Sequence, residues 1–190
     1  MSAPKQLPAP PVTEEMRAHA RRTPGSWIYP VDPAFSPASS AVDDVPGWAI
    51  PGAYRVNDDG EIDEQFIPNA DYRPSPAALG FPPPAGPLET ALQNAVTTHG
   101  SDDEVRTALL DATVFTPFVP GHHGLLLLDE ELDHGVVHVF TSERYLPGAD
   151  TWRSWQRVPV REITAVLGEA YLVINPGSTL GLRVPGTDLT

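Results

Sequence analysis

The chain is 190 residues long and acidic, with a formal net charge of −13, 41% hydrophobic residues, 23 prolines, 15 glycines and no cysteine. That length suits one domain, or one domain with an elaborated N-terminal part, and the missing cysteines exclude disulfide frameworks, thiolate nucleophiles and cysteine-held metals. The acidity argues against nucleic acid or an anionic membrane as partner, because like charges repel, and it permits a basic protein partner.

The basic residues are eleven arginines and the single Lys5. No apolar run approaches the roughly 20 residues that a spanning helix needs. The N-terminus has no apolar core of a signal peptide. The expectation is a soluble, cytoplasmic protein with no membrane insertion; the oligomeric state is left open.

Residues 1 to 12, MSAPKQLPAPPV, read as a proline-rich tail, disordered or extended. Thr13-Glu14-Glu15-Met16 then predicts a short capped helix through about Arg22, acids in its first turn and arginines in its last. Trp27-Ile28-Tyr29 is a strand candidate closed by Pro30. Ala53 to Val56 and Glu61 to Ile67 predict a hairpin across Asn57-Asp58-Asp59-Gly60. Next, Asn69 to Pro76 and Leu79 to Pro84 are too rich in proline to extend a sheet or helix, which predicts a polyproline-like surface crossing.

Leu88 to Val96 carries apolar residues at 88, 91, 92, 95 and 96, the stripe of an amphipathic helix ended by Gly100. Ser101-Asp102-Asp103-Glu104 is a capping box that starts a second helix, to about Ala112. Thr113–Val119, Leu125–Leu128, Val136–Phe140, Ala170–Ile174 and Leu180–Val184 then read as strands. Arg161–Leu167 reads as a short helix stopped by Gly168. The pattern predicts an α+β fold, a mostly antiparallel mixed sheet flanked by helices, with a proline-rich N-terminal extension carrying a small β-hairpin. Val136–Phe140 and Ala170–Ile174 should share one sheet, Val137 and Val139 on one face and His138 on the other.

Chemistry is harder to find. His122-His123, His134 and His138 suggest a metal centre, but in a strand His134 and His138 stand roughly 13 Å apart, too far for one ion at about 2 Å from each. The reading is no metal and no cofactor. Asp129-Glu130-Glu131-Leu132-Asp133 lacks the alternating ligands and glycine of a calcium loop and reads as an acidic hairpin turn. Thr141-Ser142 has no nucleophile-elbow glycines, so both hydroxyls read as a helix cap. Asn175-Pro176-Gly177-Ser178 reads as a turn ending a strand, with an anion nest as the alternative. Trp152 and Trp155, at helical spacing, are either core lids or interface anchors. Tyr72, Arg73, Pro74 and Pro76 are either a protein-binding segment or an internal strap with Tyr72 buried and Arg73 paired to an acid.

Two resemblances add to this reading. Val139-Phe140-Thr141-Ser142-Glu143, followed by Leu172-Val173-Ile174-Asn175-Pro176-Gly177-Ser178, resembles the N-terminal domain of SseB-type proteins, which carry an FTS strand end and an NPGS turn in that order. Trp27-Ile28-Tyr29, Gly52 to Val56 and Tyr72 to Pro76 resemble actinobacterial type VII secretion system-associated proteins. The organisation expected is a tail and short helix over 1–25, a hairpin region and proline-rich crossing over 26–87, and an SseB-like α+β domain over 88–190. The resemblance implies a non-enzymatic accessory, chaperone, adaptor or immunity-like protein of type VII secretion, its partner a secretion component or a secreted effector. It supplies no catalytic residues. The alternative is a small-molecule binder or hydrolase working at the strand tips Thr141-Ser142 and Asn175-Gly177.

Overall fold

The computed structural model describes residues 8–35, 45–121, 124–128, 134–148 and 154–189. The chain divides into two compact units, Met1–Pro82 and Pro83–Thr190. His122-His123, the acidic run Asp129–Asp133 and Trp152 lie outside the described residues.

In the first unit, helix α1 (Glu14–Ala20) starts at Thr13, whose hydroxyl accepts the Met16 N–H at 3.2 Å. Strands β1 (Trp27–Ile28), β2 (Gly52–Val56) and β3 (Ile62–Pro68) form an antiparallel sheet in that order. The turn between β2 and β3 is closed by Asn57, whose Oδ1 accepts the N–H groups of Asp59 and Glu61 at 3.0 and 2.8 Å. Gly60 takes the left-handed conformation there, at φ +78°, so the Asp-Gly signal acts as sequence chemistry predicts. Ala20, Ile28, Tyr54 and Val56 make the core of this unit.

The proline-rich segment departs from an extended crossing. From Ser75 to Phe81 it winds back on itself, with Leu79 N–H donating to Ser75 O, Gly80 N–H to Ala77 O and Phe81 N–H to Pro76 O. Prolines leave carbonyls free to accept, and Ala77 to Phe81 supply the donors that Pro74 and Pro76 lack.

The second unit holds α2 (Pro87–Val96), α3 (Asp102–Leu110), β4 (Thr113–Pro117), β5 (Val136–Val139), β6 (Trp155–Pro159), α4 (Val160–Leu167), β7 (Tyr171–Ile174) and β8 (Leu182–Pro185). β4 pairs antiparallel with β6. β5 pairs parallel with β7, and β7 pairs antiparallel with β8. Phe115 and Phe140 exchange backbone hydrogen bonds at 2.8 Å, which bridges β4 to the end of β5. The fold is α+β, with four helices and eight strands among the described residues and one parallel pairing in otherwise antiparallel sheets. Its core is β-branched and aliphatic: Val136, Val137, Val139, Leu172 and Ile174 are all fully buried.

Two expectations are corrected. Leu125–Leu128 is no strand; Leu128 makes one isolated bridge to Val136, and Leu127 is exposed. An apolar run becomes a strand only where a neighbour offers a row of partners. Trp155, by contrast, is no part of a helix: it opens β6, the partner that β4 needs. In β5, His138 is half-buried between the buried Val137 and Val139. No helix of the described residues is long and apolar enough to cross a membrane.

Candidate functional site

Helix α2 begins at Pro87, in the first-turn position where the missing N–H costs nothing. Two residues on, Glu89 sits in the first turn, where the partial positive charge of the helix N-terminus favours an acid. Its side chain turns inward rather than to water. The buried face of α2 is Leu88, Glu89, Leu92 and Gln93, so the apolar stripe is displaced by one position and Val96 lies exposed.

What draws Glu89 inward is a set of neutral donors. Ala85 N–H donates to Oε2 at 2.8 Å, and the hydroxyls of Thr141 and Ser142 both donate to Oε1, at 2.8 and 2.5 Å. The residue is 1% exposed. Burial by itself raises the carboxyl pKa. The Ser142 hydroxyl, the Ala85 N–H, the Thr141 hydroxyl and the Arg144 charge outweigh it and hold the group below its ordinary value. Glu89 is therefore an ionised, buried carboxylate at neutral pH. Nearby Tyr145 is pushed up by burial and by that negative charge.

Thr141 and Ser142 leave β5 where Asn175 leaves the parallel strand β7. The Asn175 N–H continues the ladder to Val139 O at 2.9 Å. Its carboxamide closes on Thr141: Oδ1 accepts the Thr141 N–H at 2.9 Å and Nδ2 donates to the Thr141 hydroxyl at 3.1 Å. Asn175 is fully buried and left-handed, at φ +44°, a conformation asparagine tolerates better than most residues. The predicted cap is thus corrected. The Ser142 hydroxyl makes no cap bond to the short helical turn that follows, Glu143–Tyr145, because Glu89 takes it. Gly177, at φ +77°, lies exposed in the turn, and Ser178 N–H donates to Asn175 O.

A family model, the SseB protein N-terminal domain, matches residues 88–190, more than half of the chain. The chain belongs to the SseB N-terminal domain family. Glu89, Thr141, Ser142 and Asn175 all fall inside the matched segment. No curated protein and no solved structure matches the chain.

The SseB domain also bears an open cleft of about 770 Å³, lined by the start of α2, by α3, and by Thr141 and Arg157. Its lining is mostly apolar. Trp155 is half-buried and meets Phe140 edge-on, with ring centroids 5.2 Å apart, so it lids the core from β6. His134 pairs with Glu169 at 3.5 Å on the surface. No group of three or more His, Cys, Asp or Glu among the described residues is placed to hold a metal ion.

The first unit repeats the same device around a different acid. Asp32 is fully buried and accepts the Ser75 hydroxyl, the Ser75 and Ala34 N–H groups and the Tyr72 hydroxyl. Burial raises its pKa, and these four donors, led by Ser75, more than reverse the effect. Tyr72 is pushed well above an ordinary tyrosine by burial, by its hydrogen bond to Asp32 and by the Asp32 charge. Arg73 is exposed, and its N–H donates to Trp48 O at 2.9 Å. Pro74 and Pro76 are half-buried. The Tyr72–Pro76 segment is therefore bound down by Tyr72 and Ser75, with the Arg73 side chain displayed.

Neither Glu89 nor Asp32 emerges from sequence reasoning as a site residue. The one available signal for Glu89 is its place beside Leu88 in the first turn of a helix whose inner face must be covered. For Asp32, between Val31 and Pro33, there is none.

Proposed function

We propose that this SseB-domain protein is a non-enzymatic, protein-binding accessory of bacterial secretion, acting in the cytoplasm beside a type VII secretion system. The observation that carries this reading is the inward commitment of the strand tips. Thr141 and Ser142 donate to Glu89, and Asn175 closes on Thr141. A ligand or a scissile bond arriving at those tips meets few convergent donors. A carboxylate held below its ordinary value is also a weak base, poorly matched to activating a hydroxyl at neutral pH. The family match, the resemblance of the N-terminal half to type VII secretion-associated proteins and the net charge of −13 support the same reading.

The test is affinity capture of the tagged full-length chain from its native host. The expected result is one co-purifying protein, a secretion component or a secreted effector. Capture of nothing, together with turnover of an ester or amide substrate that Ser142→Ala abolishes, would replace this reading with a hydrolase.

A further inference from the structure

We propose that the cleft between α2 and α3 docks an amphipathic segment of a partner protein, an apolar side chain flanked by Lys or Arg. This rests on the protein-binding reading above and names the chemistry of what is bound.

The cleft exists because α3 is small where it turns toward the start of α2. Ala108 of α3 and Ala112 just past its end stand with Leu88 in the lining, and residues this short leave the space of about 770 Å³ unfilled. A volume of that size accommodates one or two large apolar side chains with room to spare. Asp103, Glu104 and Asp111 complete the wall, and all three are exposed.

These acids have local explanations of their own. Asp103 and Glu104 suit the first turn of α3, Glu104 accepts the Ser101 N–H at 2.8 Å, and Asp111 meets Arg161 at 2.6 Å. What selects an occupant is the combination of an apolar floor with that acidic rim. A wholly apolar partner would leave Asp103 and Glu104 without counter-charge. An acidic one would be repelled both there and by the chain's net charge of −13. A segment with an apolar anchor and basic flanks satisfies both. Arg157, the cation of the lining, lies over the Phe115 ring at 5.5 Å, so it is held against the sheet.

The probe is a fluorescein-labelled peptide of about 18 residues, five helical turns, with leucines on one face and lysines on the other. Its control carries glutamate in place of lysine. Binding is followed by anisotropy with the full chain and with Ala108→Trp, which fills the cleft, and Asp103→Lys, which reverses the rim. Thermal melts establish that each variant is folded. The lysine peptide should bind, more weakly as salt rises, with at least a tenfold loss in each variant and none of the affinity retained by the glutamate peptide. No binding to the native chain, binding to either variant as tight as to the native chain, or equal binding of the glutamate peptide would overturn the proposal. Host capture separates the two levels. A partner retained in full by Ala108→Trp overturns the cleft while leaving the protein-binding reading in place. A lysine peptide that needs the cleft, with no host partner captured and with the Ser142-dependent turnover described above, keeps the cleft as a peptide-binding site and removes the accessory-protein reading.

Discussion

Asn175 and Thr141 face each other across the carboxyl ends of two parallel strands, and the Asn175 carboxamide bonds both the backbone N–H and the hydroxyl of Thr141. With Asn175 Nδ2 donating to the Thr141 hydroxyl, that hydroxyl lies 2.8 Å from Glu89 Oε1, a shorter contact than its 3.3 Å to Asn175 Oδ1. The FTS strand end and the start of the NPGS turn thus form one hydrogen-bonded unit built around a carboxylate from helix α2.

Asn175 has two roles that substitution can separate. Asn175→Gly keeps the left-handed backbone and loses the carboxamide, leaving the half-buried Thr141 N–H without its partner, at a cost of about 1–3 kcal/mol. Asn175→Ala adds the left-handed strain, about 1 kcal/mol further. Urea unfolding should rank native above glycine above alanine. Equal stability of the glycine and alanine variants would show that the turn relaxes out of φ +44°.

Glu89 makes the SseB domain acid-sensitive. Its folded carboxyl ionises more readily than the unfolded one. As pH falls the unfolded chain therefore takes up the proton first, and stability drops. The contribution is complete above the ordinary value of 4.5 and is lost as pH descends through the folded value. Glu89→Gln should cost about 1–3 kcal/mol at neutral pH, because an amide cannot accept from every donor now aimed at the site. It should also flatten the acid limb of stability against pH. An acid limb as steep as the native one would show that other carboxylates carry it.

Phe140 is 2% exposed, bridged to Phe115 through the backbone and covered edge-on by Trp155. Phe140→Ala should destabilise the domain by about 3–5 kcal/mol, the range for emptying a buried aromatic site. A melting temperature close to native would mean that β6 and its tryptophan collapse into the space without penalty.

Tyr72 and Arg73 are adjacent, and opposite consequences follow. Tyr72→Phe removes a donor from the buried Asp32 carboxylate and should cost about 1–3 kcal/mol. Arg73→Ala alters an exposed side chain and should stay within about 0.5 kcal/mol of native. Partner capture with Arg73→Ala then tests the interface role of this segment on a protein of unchanged stability. A large fall in melting temperature for Arg73→Ala would instead assign its guanidinium to the fold.

By itself, the sequence determined the local elements, because local elements depend on neighbours a few residues away. The Ser101–Glu104 capping box, the Asn57–Gly60 turn, the buried strands at Val136 and Tyr171 and the stop at Gly168 all follow from short-range periodicity and backbone preference. Only the tertiary structure decided pairings across long stretches of chain. Leu125–Leu128 has the composition of a strand without a row of partners, whereas Trp155–Pro159 has weaker composition and gains its place from β4. Glu89 is the sharpest case. At the start of a helix a glutamate ordinarily faces water, and its burial depends on two hydroxyls 52 and 53 residues away. A buried charge is tolerable only where donors converge on it, and convergence is a property of the folded chain.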